Sequence, residues 1–298
     1  MDFNGAIIVN QEIGHNQYKI DRLIEEFNNF GVSLKVYTND GTLAEIKDNE
    51  IKLNFDANFV IYLDKDIYLA RFIEKCGIRL FNKADFIKLC DDKILTFIAC
   101  SNLGIRMPKT LAGPLMYREP KKEEFKFLDK VEKKLGYPLV VKKVYGSLGE
   151  GVYLINNREE LNAKYAEIYR NPILFQEYIS SSRGRSLRIL IIDGKVFGGF
   201  IRYNNDDFRS NFGDTADGKS LDNPEKYYKF AQDISDKLNI EYAGIDLLFD
   251  QNNNPILCEI NSNAFFEEFE KVTHLNVAKG IAEMILRKMK EEARWKTS

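Results

Sequence analysis

The sequence predicts a mixed α/β protein, with an N-terminal parallel α/β domain followed by a two-lobed unit built on antiparallel sheets. The chain has 298 residues, enough for two or three packed units. Its first ~85 residues alternate strand-like and helix-like patterns, an order typical of parallel sheets. From Tyr137 onwards, apolar runs are separated by glycine- and asparagine-rich turns, which predict hairpins.

The N-terminal elements follow from local periodicity. Runs of high β-propensity are GAIIVN (residues 5–10), VSLKVYTN (32–39), NFVIYLD (58–64) and IRLFN (78–82). Between them, residues 18–31 and 66–77 repeat apolar side chains at helical spacing, and each helix pattern ends in glycine. No GxGxxG turn is present in this region, so a dinucleotide site is not predicted.

The later elements are predicted in the same way. Residues 82–103 look helical, with Asp85 and Asp91 as candidate N-caps. Beyond them we predict hairpins at 137–155 and 186–203, a strand at 173–179, and helices at 224–239 and 273–292. The predicted domains are 1–88, 89–178 and 179–298.

Composition excludes several classes of function. Apolar residues make up 44% and charged residues 30% of the chain, and the formal net charge is −2. There is no basic patch for nucleic acid or a membrane surface, and no apolar window approaches the ~20 residues of a membrane span. The four cysteines stand singly, as expected of reduced thiols. We therefore expect a cytoplasmic protein without nucleic-acid or membrane partners.

Two acidic residues and an amide form a candidate metal site. Residues 250–255 (DQNNNP) are turn chemistry between two β-rich runs, and a turn centred on Asn252-Asn253 places Asp246 opposite Glu259. Asn261 shares the face of Glu259, because side chains alternate along a strand. An all-oxygen set suits Mg²⁺ or Mn²⁺. A solvated hairpin whose acids face water is the alternative.

Other segments carry candidate anion-binding groups. The run from Lys142 to Val152 places three glycines between two strands, so its N–H groups can approach phosphates while Lys142 adds charge. Taken alone, that run is better explained as a glycine-rich hairpin whose lysine extends to solvent, and Lys93 alone would be an ordinary surface lysine. Arg188 and Arg202 flank the Asp193-Gly194 turn. A two-residue turn puts them on opposite faces, whereas a three-residue loop with a bulge puts them on one face.

Taken together and in order, these segments resemble an ATP-grasp ligase, most closely the RimK-type glutamate ligases and their LysX-like relatives. The resemblance covers roughly residues 85–290 and rests on the segments CDDKILTFIACSNLGIRMPKT, YPLVVKKVYGSLGEGV, ILFQEYI, RGRSLRILIIDGKVFGGFIR, RSNFG, AGIDLLFD and CEINSN. It implies ATP-dependent joining of a carboxylate to an amine through an acyl phosphate, with release of ADP and phosphate. Small-molecule, amino-acid and peptide substrates all stay open, and so does a homo-oligomer.

The resemblance also implies residue roles. Arg188 and Arg202 would face substrate or transferred phosphate. Asp246, Glu259 and Asn261 would hold metal, normally two Mg²⁺ or Mn²⁺ ions. Nucleotide contacts are implied for phosphate-binding, loop, hinge and ribose-side positions: Lys93, Lys142, Gly146, Ser147, Gly149, Gly151, Gln176, Glu177, Tyr178, Ile179, Ser186, Arg209, Ser210 and Asn211.

One position departs from the family pattern. RimK-type sequences usually carry an acidic residue where Ser186 stands, so contacts near the ribose are expected to be weaker or rearranged. Because the lysine and metal positions are intact, we expect an active enzyme. The alternatives are an ATP-binding module or sensor without ligase activity, and a small-molecule kinase on the same scaffold.

Overall fold

The computed structural model describes residues 3–11, 13–118, 121, 125–212 and 217–297. These residues form a parallel sheet, two antiparallel sheets and one small separate hairpin. No helix among them is long and apolar enough to cross a membrane. The predicted domain boundaries stay predictions.

The N-terminal sheet is parallel, as predicted, with strand order β2-β1-β5-β6. Its region contains β1 (Asn4–Asn10), α1 (Gln17–Asn29), β2 (Ser33–Asn39), β3 (Ala44–Lys47), β4 (Glu50–Leu53), β5 (Phe59–Leu63), α2 (Ile67–Lys75) and β6 (Arg79–Phe81). The β3–β4 hairpin was not predicted, because its alternating Glu, Lys and Ile residues lie in a largely exposed two-stranded sheet with a weak apolar signal.

Two helices replace the single one predicted at residues 82–103: α3 (Ala84–Asp91) and α4 (Lys93–Cys100). The proposed N-caps Asp85 and Asp91 are wrong, because both lie within α3. Asp92 is the cap of α4: its backbone is extended, and its side chain accepts hydrogen bonds from the N–H groups of Ile94 and Leu95. This break places Lys93 at the first turn of a new helix.

The second sheet is antiparallel, with order β7-β10-β8-β9. Its elements are β7 (Thr110–Ala112), α5 (Phe127–Leu135), β8 (Leu139–Lys143), β9 (Val152–Ile155), α6 (Arg158–Ile168) and β10 (Ile173–Glu177). The glycine-rich loop joins β8 to β9 in the predicted hairpin. Gly149 and Gly151 adopt positive φ angles of 77° and 70° there, a conformation that side chains with a Cβ disfavour.

The third sheet has order β13-β12-β11-β14-β15 and is also antiparallel. The elements are β11 (Arg185–Ile192), β12 (Lys195–Tyr203), β13 (Asp217–Ser220), α7 (Glu225–Leu238), β14 (Tyr242–Phe249), β15 (Pro255–Asn261), α8 (Glu267–Thr273) and α9 (Val277–Thr297). Helix α7 packs against one face of this sheet through Ala231 and Ile234.

The N-terminal sheet and the third sheet share one hydrophobic core. Phe27 and Phe59 belong to the same buried cluster as Phe200 and Phe269, and α9 contributes residues such as Ile281. Full burial of each such side chain contributes about 1.5–3 kcal/mol. This shared core holds α1 beside the end of the third sheet, where the candidate site lies.

Candidate functional site

A cleft lies between the two antiparallel sheets, and most predicted nucleotide-contacting residues line it. We call it the intersheet cleft. Its walls come from α4, β8, the glycine-rich loop, the end of β10, β11, the 208–211 segment, β14 and β15. The predicted residues among its lining are Lys93, Lys142, Gly146, Ser147, Gly149, Gln176, Glu177, Tyr178, Ile179, Ser186, Arg209, Ser210, Asn211, Asp246 and Glu259.

Both predicted lysines are buried, so neither is a surface residue. Lys93 and Lys142 are each 8% exposed. The Lys93 ammonium donates hydrogen bonds to the carbonyls of Gly146 (2.8 Å) and Val144 (3.3 Å), and it lies 3.8 Å from the Glu259 carboxylate. A buried ammonium needs anionic or carbonyl partners. The two ammonium groups of Lys93 and Lys142, at the base of the glycine-rich loop, place positive charge in the cleft.

Arg209 connects the two walls of the intersheet cleft. Its Nη1 donates to the carbonyl of Gly149 in the glycine-rich loop at 2.9 Å, while Asp207 accepts hydrogen bonds from Nε and Nη2. The guanidinium also lies over the Phe212 ring, 3.3 Å from its centroid. A Cβ at Gly149 would come within 3.3 Å of the Arg209 side chain. Arg209 therefore holds the loop against the third sheet.

The hairpin register brings the two candidate metal acids together. Asp246 of β14 pairs with Glu259 of β15, as predicted, but through a different turn. Near the turn the pairing is Phe249 to Pro255, one residue off the predicted register, and a bulge between Asp246 and Leu247 restores it. The extra residue is Cys258, which lines the cleft beside Glu259. Without the bulge, Glu259 would face the opposite side of the sheet.

A second bulge decides where the two arginines lie. Asp193 and Gly194 form a two-residue turn with both φ angles positive, and Ile192 pairs with Lys195. The register then shifts between Leu190 and Ile191, so that Arg202 pairs with Ser186. Since Ser186 and Arg188 are two residues apart, all three share a face. The two-residue turn alone would place Arg188 and Arg202 on opposite faces of the sheet. The strand bulge places them on the same face.

Arg188 and Arg202 converge on Asp246. Arg188 donates to both carboxylate oxygens, through Nε to Oδ1 and through Nη2 to Oδ2 at 2.6 Å. Arg202 Nη1 lies 3.6 Å from Oδ1. Burial alone would raise the pKa of Asp246, but the charges of Arg188 and Arg202 and the hydrogen bonds from Arg188 and Asn261 together outweigh it, and the pKa is lowered. Burial, with Arg188 adding repulsion, lowers the pKa of Arg202 to about 10. One carboxylate thus serves two buried cations.

The predicted hinge lies at the far end of the cleft. Gln176 is buried and donates to Thr110 Oγ1 at 2.8 Å, and the Glu177 carboxylate accepts from the Lys109 N–H at 3.1 Å. The buried Tyr178 hydroxyl has no hydrogen-bond partner in the described chain, so it is available to a ligand. Ser186 and Ser210 hydrogen-bond each other at 2.6 Å. The site of the usual family acid is therefore a neutral hydroxyl pair.

The candidate metal residues have oxygen atoms to offer. In the described residues, no group of three or more His, Cys, Asp and Glu side chains could hold a metal ion; the predicted set has only two acids and one amide. The Glu259 carboxylate accepts no hydrogen bond from the described residues, and it lies 3.8 Å from the Lys93 ammonium. Asp246 accepts from Arg188 and from Asn261 Nδ2 at 3.2 Å, and a carboxylate has about four lone-pair sites. The donor chemistry therefore fits Mg²⁺ or Mn²⁺.

A second cavity of about 790 Å³ opens beside the cleft. We call it the adjoining cavity. It lies between the N-terminal sheet region and the third sheet, and it shares Ser147, Asn211, Asp246 and Glu259 with the intersheet cleft. Arg188, Arg202 and Asn261 line it as well. Lys19 of α1 also lines it and was not predicted, because a lysine in an amphipathic helix gives no sequence signal beyond a solvated face.

Comparison with protein families matches residues 90–285 to the RimK-like ATP-grasp domain. An uncharacterised protein of Mycoplasma pneumoniae is 31% identical over 252 residues, which are 83% of this chain and 87% of that protein. Human N-acetylaspartylglutamate synthase A is 32% identical over 224 residues, or 74% of this chain. Those residues are only 55% of the synthase, so this chain spans about half of its length.

A solved structure agrees in fold. D-alanine–D-alanine ligase of Bacillus anthracis, complexed with ATP, has a TM-score of 0.73 at 19% identity, with 97% of this chain and 99% of the other covered. This match confirms the predicted fold class, including the parallel N-terminal sheet and the two antiparallel sheets after it.

Proposed function

The chain belongs to the RimK-like ATP-grasp family, and on that premise we propose that it ligates a carboxylate to an amine at the junction of the two cavities. The observation that carries this proposal is the shared lining: Asp246 and Glu259 border both the intersheet cleft and the adjoining cavity. A nucleotide in the first would therefore present its terminal phosphate to a substrate in the second. ATP hydrolysis alone would not need the larger space.

The intersheet cleft is proposed as the ATP site. Lys93 and Lys142 would neutralise phosphate oxygens, and the N–H groups of the loop from Gly146 to Gly151 would cover them. The hinge from Glu177 to Ile179 would meet adenine, with Gln176 beneath it. Ser186, Ser210 and Asn211 would lie near the ribose and phosphates. Support comes from the burial of both lysines and from the free Tyr178 hydroxyl.

Asp246, Glu259 and Asn261 are proposed to hold Mg²⁺ or Mn²⁺, two ions in all. When bound, such ions offset charge on the phosphate oxygens. Arg188 keeps Asp246 ionised and oriented through two hydrogen bonds. Arg202 lies farther from that carboxylate, at 3.6 Å, and its buried Nε–H lies 3.4 Å from the Glu268 carboxylate without forming a hydrogen bond among the described residues. We therefore assign substrate contact first to Arg202 and positioning of Asp246 to Arg188.

The chemistry proceeds in two displacements. A substrate carboxylate oxygen attacks the γ-phosphorus of ATP, and the bond to the bridging oxygen of ADP breaks. The amine nitrogen of the second substrate then attacks the acyl carbon of the acyl phosphate, inorganic phosphate leaves, and the nitrogen loses a proton. The glycine-rich loop, held by Arg209, would shield the acyl phosphate from water. No side-chain nucleophile takes part in either displacement.

The substrates are proposed by chemistry alone. An amino acid is the proposed amine, and the acid is a small molecule or a peptide, which the adjoining cavity has room for. The name of the human relative, N-acetylaspartylglutamate synthase A, describes the product of a ligation of this kind. A cytoplasmic location and a homo-oligomer are part of the same proposal.

The test is a pooled screen for ADP release, with amino acids as amines and with carboxylic acids and peptides as acceptors. ADP that forms only when both an acid and an amine are present would support ligation. Glu259→Gln is the matched control, and we expect at least a 100-fold loss of kcat, because one charged metal ligand becomes neutral. Unchanged activity in that variant would refute the metal assignment, and ATP binding without ADP release in any pool would favour a sensor.

A further inference from the structure

Lys19 is a buried cation without a carboxylate partner. It is 2% exposed and lies on α1 in the wall of the adjoining cavity. Its ammonium donates to Asn263 Oδ1 and lies 5.4 Å and 5.8 Å from the ring centroids of Phe265 and Phe266. No ion pair involving Lys19 occurs in the described residues. An ammonium has three donors, so at least one is free to meet a ligand.

The other cations of this cavity are already paired. Lys65 lies 2.6 Å from Asp91, and Lys271 lies 2.7 Å from Glu267. Arg188 is bound by Asp246, and Arg202 Nε lies 3.4 Å from Glu268. Lys19 therefore stands apart from every other cation that lines the cavity in the described chain. Burial, with Arg188 adding repulsion, lowers the pKa of Lys19 to about 7.

A buried ammonium without a carboxylate partner, such as that of Lys19, lowers the free energy of unfolding. Desolvation of a charge is costly unless an opposite charge compensates it, and an amide oxygen with two aromatic faces compensates only in part. Residues that lower stability in this way are typical of ligand sites. An incoming carboxylate would supply the missing charge, and the same cavity already meets the proposed phosphate-transfer point at Asp246 and Glu259.

We propose that Lys19 is a specificity residue that binds a second carboxylate of the substrate, distinct from the carboxylate that ATP activates. The proposal rests on the ligase function proposed above. It assigns the adjoining cavity to a substrate with one carboxylate at the phosphate-transfer point and another at Lys19. That carboxylate belongs either to the acid or to the amino acid that attacks it.

Binding measurements with paired probes test the assignment without requiring turnover. The protein is saturated with a non-hydrolysable ATP analogue and Mg²⁺, and affinities are measured by calorimetry. Glutarate is compared with its monoamide, glutaramate, to test the acid. L-Glutamate is compared with L-glutamine to test the amine. In the wild type we expect at least a 10-fold preference for the charged member of one pair, which corresponds to about 1.4 kcal/mol.

Three variants separate the outcomes. Lys19→Met is expected to reduce that preference to within about 3-fold, and to raise the urea midpoint of the ligand-free protein. Lys19→Arg, which keeps the charge, is expected to retain the preference. Lys279→Met removes an exposed lysine of α9 that approaches Glu283 and lies outside the cavity lining, and it should change neither quantity.

The proposal is overturned if Lys19→Met keeps the wild-type preference, if the wild type shows no preference in either pair, or if no probe binds. These results differ from a failure of the ligase function. In that case the charged probes would still bind through Lys19, yet no combination of acid and amine would release ADP.

Discussion

The two proposed metal acids are expected to differ sharply in their effect on folding. Asp246 is 7% exposed. It accepts two hydrogen bonds from Arg188 and one from Asn261, and Arg202 lies 3.6 Å away. Asp246→Asn would leave the buried Arg188 guanidinium without its ion-pair partner, and Arg202 would keep only Glu268, whose carboxylate lies 3.4 Å from its Nε. Breaking a buried ion pair by removal of one partner costs about 3–5 kcal/mol of unfolding free energy.

Glu259→Gln is the matched comparison. The Glu259 side chain is 24% exposed, and its ion-pair contact is the 3.8 Å approach of Lys93. Lys93 keeps its two carbonyl acceptors in the variant, so the loss should stay below about 1 kcal/mol. Both substitutions should abolish the stabilisation that Mg²⁺ and ATP together confer on the wild type, because both remove a proposed metal ligand.

Urea denaturation of the ligand-free protein in EDTA, followed by circular dichroism, measures the difference. The single variant Arg188→Met and the double variant Arg188→Met with Asp246→Asn complete a mutant cycle. The double variant should be more stable than Asp246→Asn alone, with a coupling of at least about 1 kcal/mol. Equal losses in Asp246→Asn and Glu259→Gln, or no coupling in the cycle, would refute the assignment of Asp246 as the counter-charge of the arginines.

Three further predictions follow from single contacts. Arg209→Ala removes a charged hydrogen bond to Gly149. The variant should raise the KM for ATP about 10-fold and speed proteolysis within the glycine-rich loop. An unaltered KM would argue against the role of Arg209 in holding the loop. Because the pKa of Lys19 is lowered to about 7, the unfolded chain binds the extra proton above pH 7. The stability of the wild type relative to Lys19→Met should therefore rise between pH 7 and 9, by at most about 1.4 kcal/mol per pH unit, and a flat difference in urea titrations would contradict it. Desolvation raises the pKa of the partly buried Cys258 thiol while Cys76 is exposed, so mass spectrometry should find Cys76 alkylated first by N-ethylmaleimide; equal rates would count against the raised pKa of Cys258.

Turn chemistry and the order of motifs were enough to predict which residues line much of the candidate site. The asparagine-rich turn predicted that Asp246 faces Glu259, and the pairing is confirmed. This pairing of Asp246 with Glu259 arises in two steps. Next to the turn, the strands are paired one residue away from the predicted register, and a bulge at Cys258 then restores the predicted register. Bulges have no reliable sequence signal, because they depend on how a strand packs against its neighbours. The same limit left the faces of Arg188 and Arg202 undecided.

Burial of charged side chains could not be predicted from local pattern. Lys93 begins a helix whose apolar residues are compatible with a lysine either at the surface or in the interior. Only the tertiary contact of the Lys93 ammonium with the Gly146 carbonyl shows that Lys93 is buried. Lys19 lies in a helix with a plain amphipathic pattern. It becomes buried because the third sheet and α9 pack against α1, a contact between segments more than 240 residues apart in the chain.

That packing also limits how this protein can be re-engineered. Helix α1 contributes Leu23 and Phe27 to the core that it shares with α9, and Lys19 to the cavity wall. The N-terminal region is therefore not an interchangeable module. A chimera that takes its first 88 residues from a relative would have to bring a matching α9, or leave mismatched apolar surfaces at the junction. Substitutions of Gln17 or Lys19, which line the cavity and do not belong to that core, would alter the cavity and leave the core intact.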